Sequence, residues 1–223
     1  MRNSITASLK RRHKEGERKL ILMRYNVIAI EREYASGGRE IGEKLAERLG
    51  IPCHGHDILE KAAIKMDLSL GELSNLEEGM TGSLLYNLSM LADITAGRSV
   101  DSTKAQKLAF VESDIIQNLS LSPCVIIGRG AAGLLKDRDS ALKVFIHADY
   151  ETRIERAVDI YRNDSMQAEK VLHRQDKRRA NYFKTATGVE WKDTDIYHLF
   201  LNSGKLGVDL AVDILHASIK QQK

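Results

Sequence analysis

The sequence predicts an α/β fold in which helices flank a parallel sheet of about five strands. Short runs rich in β-branched residues alternate along the chain with helical patterns. The runs are apolar at nearly every position, which is typical of strands buried on both faces of a sheet. The helical spacers between them indicate parallel crossovers. The five predicted strands lie in the segments YNVIAI, IPC, PCVIIGRG, LKVFIHA and YHLFLNS.

Three helical segments are predicted between these strands. After the first strand, Ile41, Leu45 and Leu49 recur at helical spacing, and Gly50 ends that helix. Residues 57–121 predict a long, mainly helical insertion, in which the segment DSTKAQKLAFVESDIIQNLS carries an apolar stripe on one face. A more polar helix, MQAEKVLHRQDKRRANYFK, precedes the fifth strand.

Length, composition and charge narrow the class of protein. The 223 residues have room for one folded unit with an inserted subdomain, preceded by a basic N-terminal extension at residues 1–22. No stretch approaches the roughly 20 apolar residues of a membrane helix. The net charge of +3 is too small to demand a nucleic-acid partner. We therefore expect neither a membrane nor a specific nucleic acid as partner.

Cysteine usage suggests a compartment. Cys53 and Cys124 are the two cysteines of the chain, and no apolar signal-peptide core stands ahead of them. Disulfides are rare in the reducing cytoplasm, whereas secreted domains of this kind usually carry more cysteines. We expect reduced thiols and a cytoplasmic location.

A candidate phosphate-binding loop follows the first strand, in the segment IEREYASGGREIG. Ser36, Gly37 and Gly38 would let backbone N–H groups converge on an anion at the positive end of the next helix. The general motif G-x-x-x-x-G-K-[ST] also needs a lysine and a hydroxyl. Here Arg39 replaces the lysine, and Glu40 stands where a hydroxyl could. The loop alone leaves a phosphate site and a purely structural turn open.

The order of several motifs resembles the cytidylate kinase-like family, which is related to the P-loop nucleoside monophosphate kinases. The motifs are SGGREIG, PCVIIGRGAAGLL, LKVFIHADYETRIERAV, HRQDKRRANYFKTATGVEW and LNSGKLGVDLAVDIL, and they span about Tyr25 to Ile214. Members of this family carry SGGREIG in the loop. The resemblance implies a P-loop NTPase three-layer fold at residues 23–223, with an acceptor-binding insertion at 57–121 and a lid region at 153–192.

The resemblance also implies ATP binding at this loop. The implied ATP contacts are Ser36, Gly37, Gly38, Arg39, Glu40 and Asn202. Phosphoryl transfer needs cations around the transferred group. The implied catalytic cations are Arg39, Arg153, Arg178 and Arg179. In isolation, the bases before the fifth strand would equally suit a solvated helix face, and Asn202 would equally suit a turn.

The acceptor phosphate is assigned by the resemblance to Arg129, which follows the third strand. This position also fits a general rule, because ligands of open parallel sheets bind outside the carboxyl ends of the strands. The other implied acceptor contacts are His56, Asp57 and Asp176. Asp176 would alternatively orient one of the arginines around it.

Metal ligands are sparse in the sequence. His54 and His56 share a face of an extended segment and would suit zinc, but no second ligand cluster accompanies them. Ile127 and Gly130 stand where related kinases carry acidic residues, and the loop lacks its hydroxyl. We therefore expect no protein-bound metal site, with Mg²⁺ held mainly by the nucleotide and water.

The predicted function is ATP-dependent phosphoryl transfer to a nucleoside monophosphate, with CMP or dCMP favoured by the resemblance alone. One alternative is a small-molecule kinase with a different acceptor. Another is a catalytically silent nucleotide-binding sensor, which the missing Mg²⁺ ligands favour. A nucleic-acid-binding module based on the basic N-terminus is a third. A homo-oligomer stays open.

Overall fold

Five parallel strands form the central sheet of the computed structural model, which describes residues 24–73 and 102–219. The strands are β1 Val27–Arg32, β2 Cys53–His54, β3 Cys124–Ile127, β4 Ala141–His147 and β5 Leu199–Asn202. Their order across the sheet is β2-β3-β1-β4-β5. The predicted parallel α/β sheet is confirmed. The N-terminal extension and the middle of the predicted insertion lie outside the described residues.

Helices connect the strands and cover both faces of the sheet. They are α1 Gly38–Leu49, α2 His56–Met66, α3 Ser102–Leu119, α4 Ala131–Leu134, α5 Tyr150–Asp159, α6 Ala168–Thr187 and α7 Ser203–Ile219, with a 3-10 turn at Thr194–Ile196. The predicted helix after the first strand is α1, and it ends at Gly50, whose positive φ of 68° allows the chain to turn away.

The two faces of β1 explain the three layers. Ile28 and Ile30 pack against α1 and α7, where Leu45 and Leu215 are fully buried. Val27 and Ala29 point to the opposite face and pack against α2, α3 and α6. Because side chains alternate along a strand, a strand that is apolar throughout needs a helical layer on each side. The architecture is the three-layer α/β fold of P-loop kinases.

The apolar stripe predicted on α3 faces the core. Leu108 and Ile115 are buried, and Val111 and Leu119 pack against the same cluster. Side chains at this spacing lie on one side of a helix and so reach the sheet together. The described end of the insertion is therefore anchored on the face of the sheet that Val27 and Ala29 occupy.

Strand register brings two loops to the same edge of the sheet. Ile30 of β1 pairs with Ile127 of β3, and the two strands run in parallel. The residues that follow them therefore lie side by side at the carboxyl edge of the sheet. These residues are Glu31 and Arg32 after Ile30, and Gly128 and Arg129 after Ile127. The register thus places the glycine loop beside the turn that carries Arg129.

Candidate active site

The loop between β1 and α1 depends on its two glycines. Gly37 precedes α1 with a φ of 77°, in the left-handed region that glycine adopts without strain. A Cβ at Gly38 would lie 2.5 Å from the Cβ of Arg32. Gly37 is therefore required by its backbone conformation and Gly38 by close approach. The turn leaves the N-terminal backbone N–H groups of α1 facing the loop.

The hydroxyl of Ser36 is used inside the loop. Ser36 is 1% exposed, and its Oγ lies 2.9 Å from the carbonyl of Glu33 and 3.2 Å from that of Ile146. The carbonyl of Ser36 accepts a hydrogen bond from Ser203 at the start of α7. Ser36 therefore shapes the loop through its hydroxyl and its backbone.

Glu33, which replaces the first glycine of the general motif, is the centre of a buried ion-pair network. Its carboxylate lies 3.3 Å from Arg153 Nη1 and also pairs with Lys192. Arg153 donates from Nε to the carbonyl of Tyr34 at 2.8 Å and pairs with Asp176. Asp176 in turn accepts from the backbone N–H of Tyr34 at 2.7 Å. The structure thus places Arg153 and Asp176 on the loop backbone, where they tie it to α5 and α6.

Four arginines from three separate segments line one cavity of about 190 Å³. They are Arg32 at the end of β1, Arg129 after β3, and Arg178 and Arg179 on α6. Arg179 Nη1 also donates to the carbonyl of Arg32 at 2.9 Å. The structure therefore brings three of the predicted residues together. Arg32 was missed in the sequence, although a charged residue at the carboxyl end of a buried strand signals a ligand site.

The electrostatics of this cavity favour an anion. Burial, with help from Arg179 and Arg129, lowers the pKa of Arg32 to about 9, while Glu31 opposes the shift. Burial also lowers the pKa of Arg179. Arg32 still carries its charge at neutral pH, because a pKa of about 9 lies well above 7. Like charges held together out of bulk water are stabilised by a bound anion.

The side chain of Arg129 is held by Glu112, which lies on α3 of the predicted insertion. Its Nη1 lies 3.3 Å from Glu112 on α3, a fully buried carboxylate that also accepts from the hydroxyl of Tyr182. The backbone of Arg129 has a φ of 60°, between glycines at 70° and 69°. A Cβ at Gly128 would lie 1.9 Å from Arg32 Nη1. Glycine at position 128 therefore leaves room for the Arg32 side chain beside the turn after β3. Glu112 is a positioning residue that the sequence analysis did not identify.

A second cavity of about 400 Å³ shares Arg32 and Arg129 with the first. Its other lining residues are Arg39, Glu43, Cys53, His54, Gly55, His56, Asp57 and Ile127. The predicted acceptor residues His56 and Asp57 both lie in this wall. His56 is largely exposed, with its Nε2 3.8 Å from Glu60. The two cavities together form a basic groove along the carboxyl edge of the sheet.

Asp57 already has three partners in that wall. Its Oδ2 lies 2.7 Å from Nδ1 of His54 and also pairs with Lys61, and its Oδ1 accepts from the N–H of Gly55 at 2.7 Å. Burial raises the pKa of Asp57, but the hydrogen bonds from Lys61, Gly55 and His54 outweigh it and lower the pKa to about 2. The ionised Asp57 thereby fixes the orientation of the His54 ring.

The predicted cation of the loop, Arg39, lies on the rim of the second cavity. Its side chain is 71% exposed, and its Nε donates to Glu43 at 2.8 Å within α1. Glu40 pairs with Arg156 at 3.0 Å on the opposite side of the helix end. Arg156 in turn lies beside the loop, with its Nη2 3.2 Å from where a Cβ of Gly37 would be.

Asn202 begins α7. Its Nδ2 donates to Asp149 at 2.9 Å, and its Oδ1 accepts from the N–H of Lys205 at 3.2 Å. The second bond satisfies one of the free N–H groups at a helix start. Both ends of the amide are therefore engaged in the turn that the sequence left as an alternative to nucleotide binding.

Two absences concern the described residues alone. Within residues 24–73 and 102–219, no three or more histidine, cysteine, aspartate or glutamate side chains cluster as metal ligands would. The helices in the same ranges are all too short or too polar to span a bilayer.

Comparisons with known proteins agree with this geometry. Residues 27–205 match the cytidylate kinase-like family. The chain is 25% identical to a cytidylate kinase of Methanopyrus kandleri, over 86% of this chain and 92% of that protein. An uncharacterised protein from Eubacterium ventriosum has a similar crystal structure, with a TM-score of 0.62, 25% identity and coverage of 85% of this chain and 94% of the other. The chain belongs to the cytidylate kinase-like family.

Proposed function

We propose that this protein transfers a phosphoryl group from ATP to a nucleoside monophosphate, with CMP or dCMP as the acceptor. The observation that carries the proposal is the convergence of Arg32, Arg129, Arg178 and Arg179 beside the glycine loop. Phosphoryl transfer is mainly positioning and neutralisation of charge on the transferred group. A cluster of buried cations next to a phosphate-binding turn suits that chemistry.

The loop and its neighbours provide the ATP side. Backbone N–H groups around Gly37 and Gly38 would hold the phosphates at the start of α1. Arg156 is the nearest cation to Gly37, and its Nε is buried with no hydrogen-bond partner among the described residues. Such a nitrogen suits a phosphate oxygen. Arg39, on the exposed rim, would reach the outer phosphates from solvent.

Magnesium fits this site as a nucleotide-bound ion. The Ser36 hydroxyl is engaged by backbone carbonyls, and the described residues offer no acidic cluster for the ion. Mg²⁺ keeps several waters and is commonly bound through phosphates with one or two protein ligands. When bound, it would neutralise phosphate charge, and the arginines would provide the remaining neutralisation.

The acceptor would bind where the two cavities meet, at the wall that Arg32 and Arg129 form. Arg129, held by Glu112, would bind the acceptor phosphate, while the nucleoside would occupy the larger cavity near His56 and Asp57. A nucleoside monophosphate is already ionised at neutral pH, so transfer requires no general base. The cytidylate kinase among the relatives supports CMP as the base choice.

A panel assay tests the proposal. ADP release with Mg-ATP is measured with CMP, dCMP, UMP and AMP, and with hydroxyl acceptors that carry no phosphate. We expect CMP or dCMP to give the highest kcat/KM, and Arg178→Ala to lower it. Arg174→Ala is the matched control, because Arg174 lies exposed on the same helix. Turnover of a phosphate-free acceptor above all the nucleotides would instead assign a small-molecule kinase.

One observation favours a second candidate, a nucleotide sensor without catalysis. Glu40 stands where the usual Mg²⁺-binding hydroxyl of the loop would be, and it pairs with Arg156, which leaves the donor side without that ligand. A sensor predicts nucleotide-dependent stabilisation of the fold without ADP release for any acceptor. The same panel distinguishes the two.

The predicted cytoplasmic location remains part of the proposal. Cys53 and Cys124 are both free thiols, and burial raises the pKa of each to about 11. Unpaired, weakly reactive thiols suit a reducing compartment.

A further inference from the structure

Glu31 is a buried carboxylate in the wall of the arginine-lined cavity. The residue is 3% exposed and lies at the carboxyl end of β1, next to Arg32. Its Oε2 accepts a hydrogen bond from Nε1 of Trp191 at 3.4 Å. Its Oε1 is buried and has no hydrogen-bond partner among the described residues. A carboxylate oxygen in this state calls for an explanation.

The positive charges near Glu31 do not explain why its Oε1 lacks a hydrogen-bond donor. Burial raises the pKa of Glu31, while Arg32, Trp191, Arg179 and the Ala132 amide oppose the shift. The arginines therefore compensate the carboxylate electrostatically, and the Ala132 N–H lies close to it. None of the donors among the described residues, Ala132 included, meets hydrogen-bond geometry at Oε1. A carboxylate in an anion site also weakens the binding of a bare anion, because like charges repel. Glu31 thus costs affinity for phosphate unless a ligand donates to it.

We propose that Glu31 accepts a hydrogen bond from a hydroxyl or amino group of the acceptor substrate. The cavity would then select a phosphorylated acceptor that carries a hydrogen-bond donor near its phosphate, in preference to a bare anion. This inference rests on the proposed function and adds a specificity residue to it. Sites built to pair with a donor reject analogues that lack it, because the polar group of the protein is left unpaired.

Glu31→Gln is an informative variant because of Trp191. The indole N–H donates and cannot accept, so the carbonyl oxygen of the new amide would stay on Trp191 and its NH₂ group would take the place of Oε1. The substitution thus keeps the size of the side chain, removes its negative charge and converts an acceptor into a donor. Glu190→Gln is the matched control, because Glu190 adjoins Trp191 in sequence and is 69% exposed.

The first measurement is calorimetric binding of inorganic phosphate, which needs no turnover. We expect Glu31→Gln to bind phosphate at least about threefold more tightly than the parent protein, since a repulsive charge is removed. Glu190→Gln should leave this affinity unchanged. Weaker or equal phosphate binding by Glu31→Gln, with an unchanged melting temperature, would overturn the proposed role of the carboxylate.

The second measurement compares acceptors that differ by one donor. Binding of CMP is compared with that of dCMP and 2′,3′-dideoxy-CMP, which lack one and both of the ribose hydroxyls. UMP is the third comparison, in which a carbonyl replaces the amino group and N3 carries a hydrogen. We expect the parent protein to prefer CMP to one of them by about tenfold, and Glu31→Gln to lose that preference. Equal preference in both proteins would overturn the inference. Failure of the kinase proposal would appear separately, as binding without ADP release.

Discussion

Arg32 and Arg39 flank the same loop and lie in opposite environments. Arg39 stands where the general motif has its lysine, yet its side chain is 71% exposed and pairs with Glu43 of its own helix. Arg32 lies against Gly128, and its carbonyl accepts from Arg179. The cationic cluster is therefore built by neighbouring strands and α6, and the motif position contributes a charge at the rim.

The largest expected effect tests this comparison directly. Arg32→Ala should lower kcat by about 100- to 1,000-fold, the usual result of removing one preorganised donor from a charge-stabilising site. Arg39→Ala should lower it by about tenfold or less, because exposed charges are screened by water and salt. Steady-state kinetics with Mg-ATP and CMP measures both. A larger loss for Arg39→Ala would reverse the assignment of the cationic cluster.

A second substitution separates the acceptor side from the ATP side. Arg129→Ala should raise the KM for CMP by about tenfold and the KM for ATP by less than about twofold, since it removes a charge-assisted bond to one substrate. Glu112→Gln should give a smaller change in the same direction, because it weakens the support of Arg129. Equal changes in both KM values would place Arg129 at the transferred phosphoryl group instead.

The third prediction concerns Arg153, whose charge is paired with Glu33 and Asp176 inside the fold. Arg153→Ala should destabilise the fold by about 3 kcal/mol, because it leaves Glu33 and Asp176 without a buried partner. Urea denaturation checks this, with Arg174→Ala as the exposed control. A double-mutant cycle with Asp176→Ala should give a coupling energy of about 1 to 3 kcal/mol. Normal stability with lost activity would instead support the catalytic role that the sequence predicted for Arg153.

The smallest effect is a pH dependence in the second cavity. The pKa of Asp57 is lowered from 3.8 to about 2. A depressed folded-state pKa contributes stability that is present above the unfolded value and is lost as the pH falls through the folded value. Melting temperatures should therefore fall between about pH 4 and pH 2 more steeply for the parent protein than for Asp57→Asn. Parallel profiles would mean that Asp57 is not held as an ion.

The sequence predicted the elements better than it predicted the site. Strands β1, β3 and β4 follow from runs rich in β-branched residues, β5 follows from an apolar run without them, and α3 follows from the spacing of Leu108 and Ile115. Arg129 and Arg179 were predicted as part of the site, and the structure places both in the arginine-lined cavity. Arg32, Glu31 and Glu112 were missed, since Glu31 and Arg32 end an apolar strand, Glu112 lies within a helical pattern, and no motif marks any of them.

The sequence by itself determined the fold class, because strand burial and helical periodicity are local patterns that a residue order carries directly. It also determined the loop, through the need for glycine at Gly37 and Gly38. Only the tertiary structure decided which arginines converge, because the register of Ile30 with Ile127 and the passage of Arg32 beside Gly128 join distant segments. Charge and pKa depend on such neighbours, so residue type alone leaves them open.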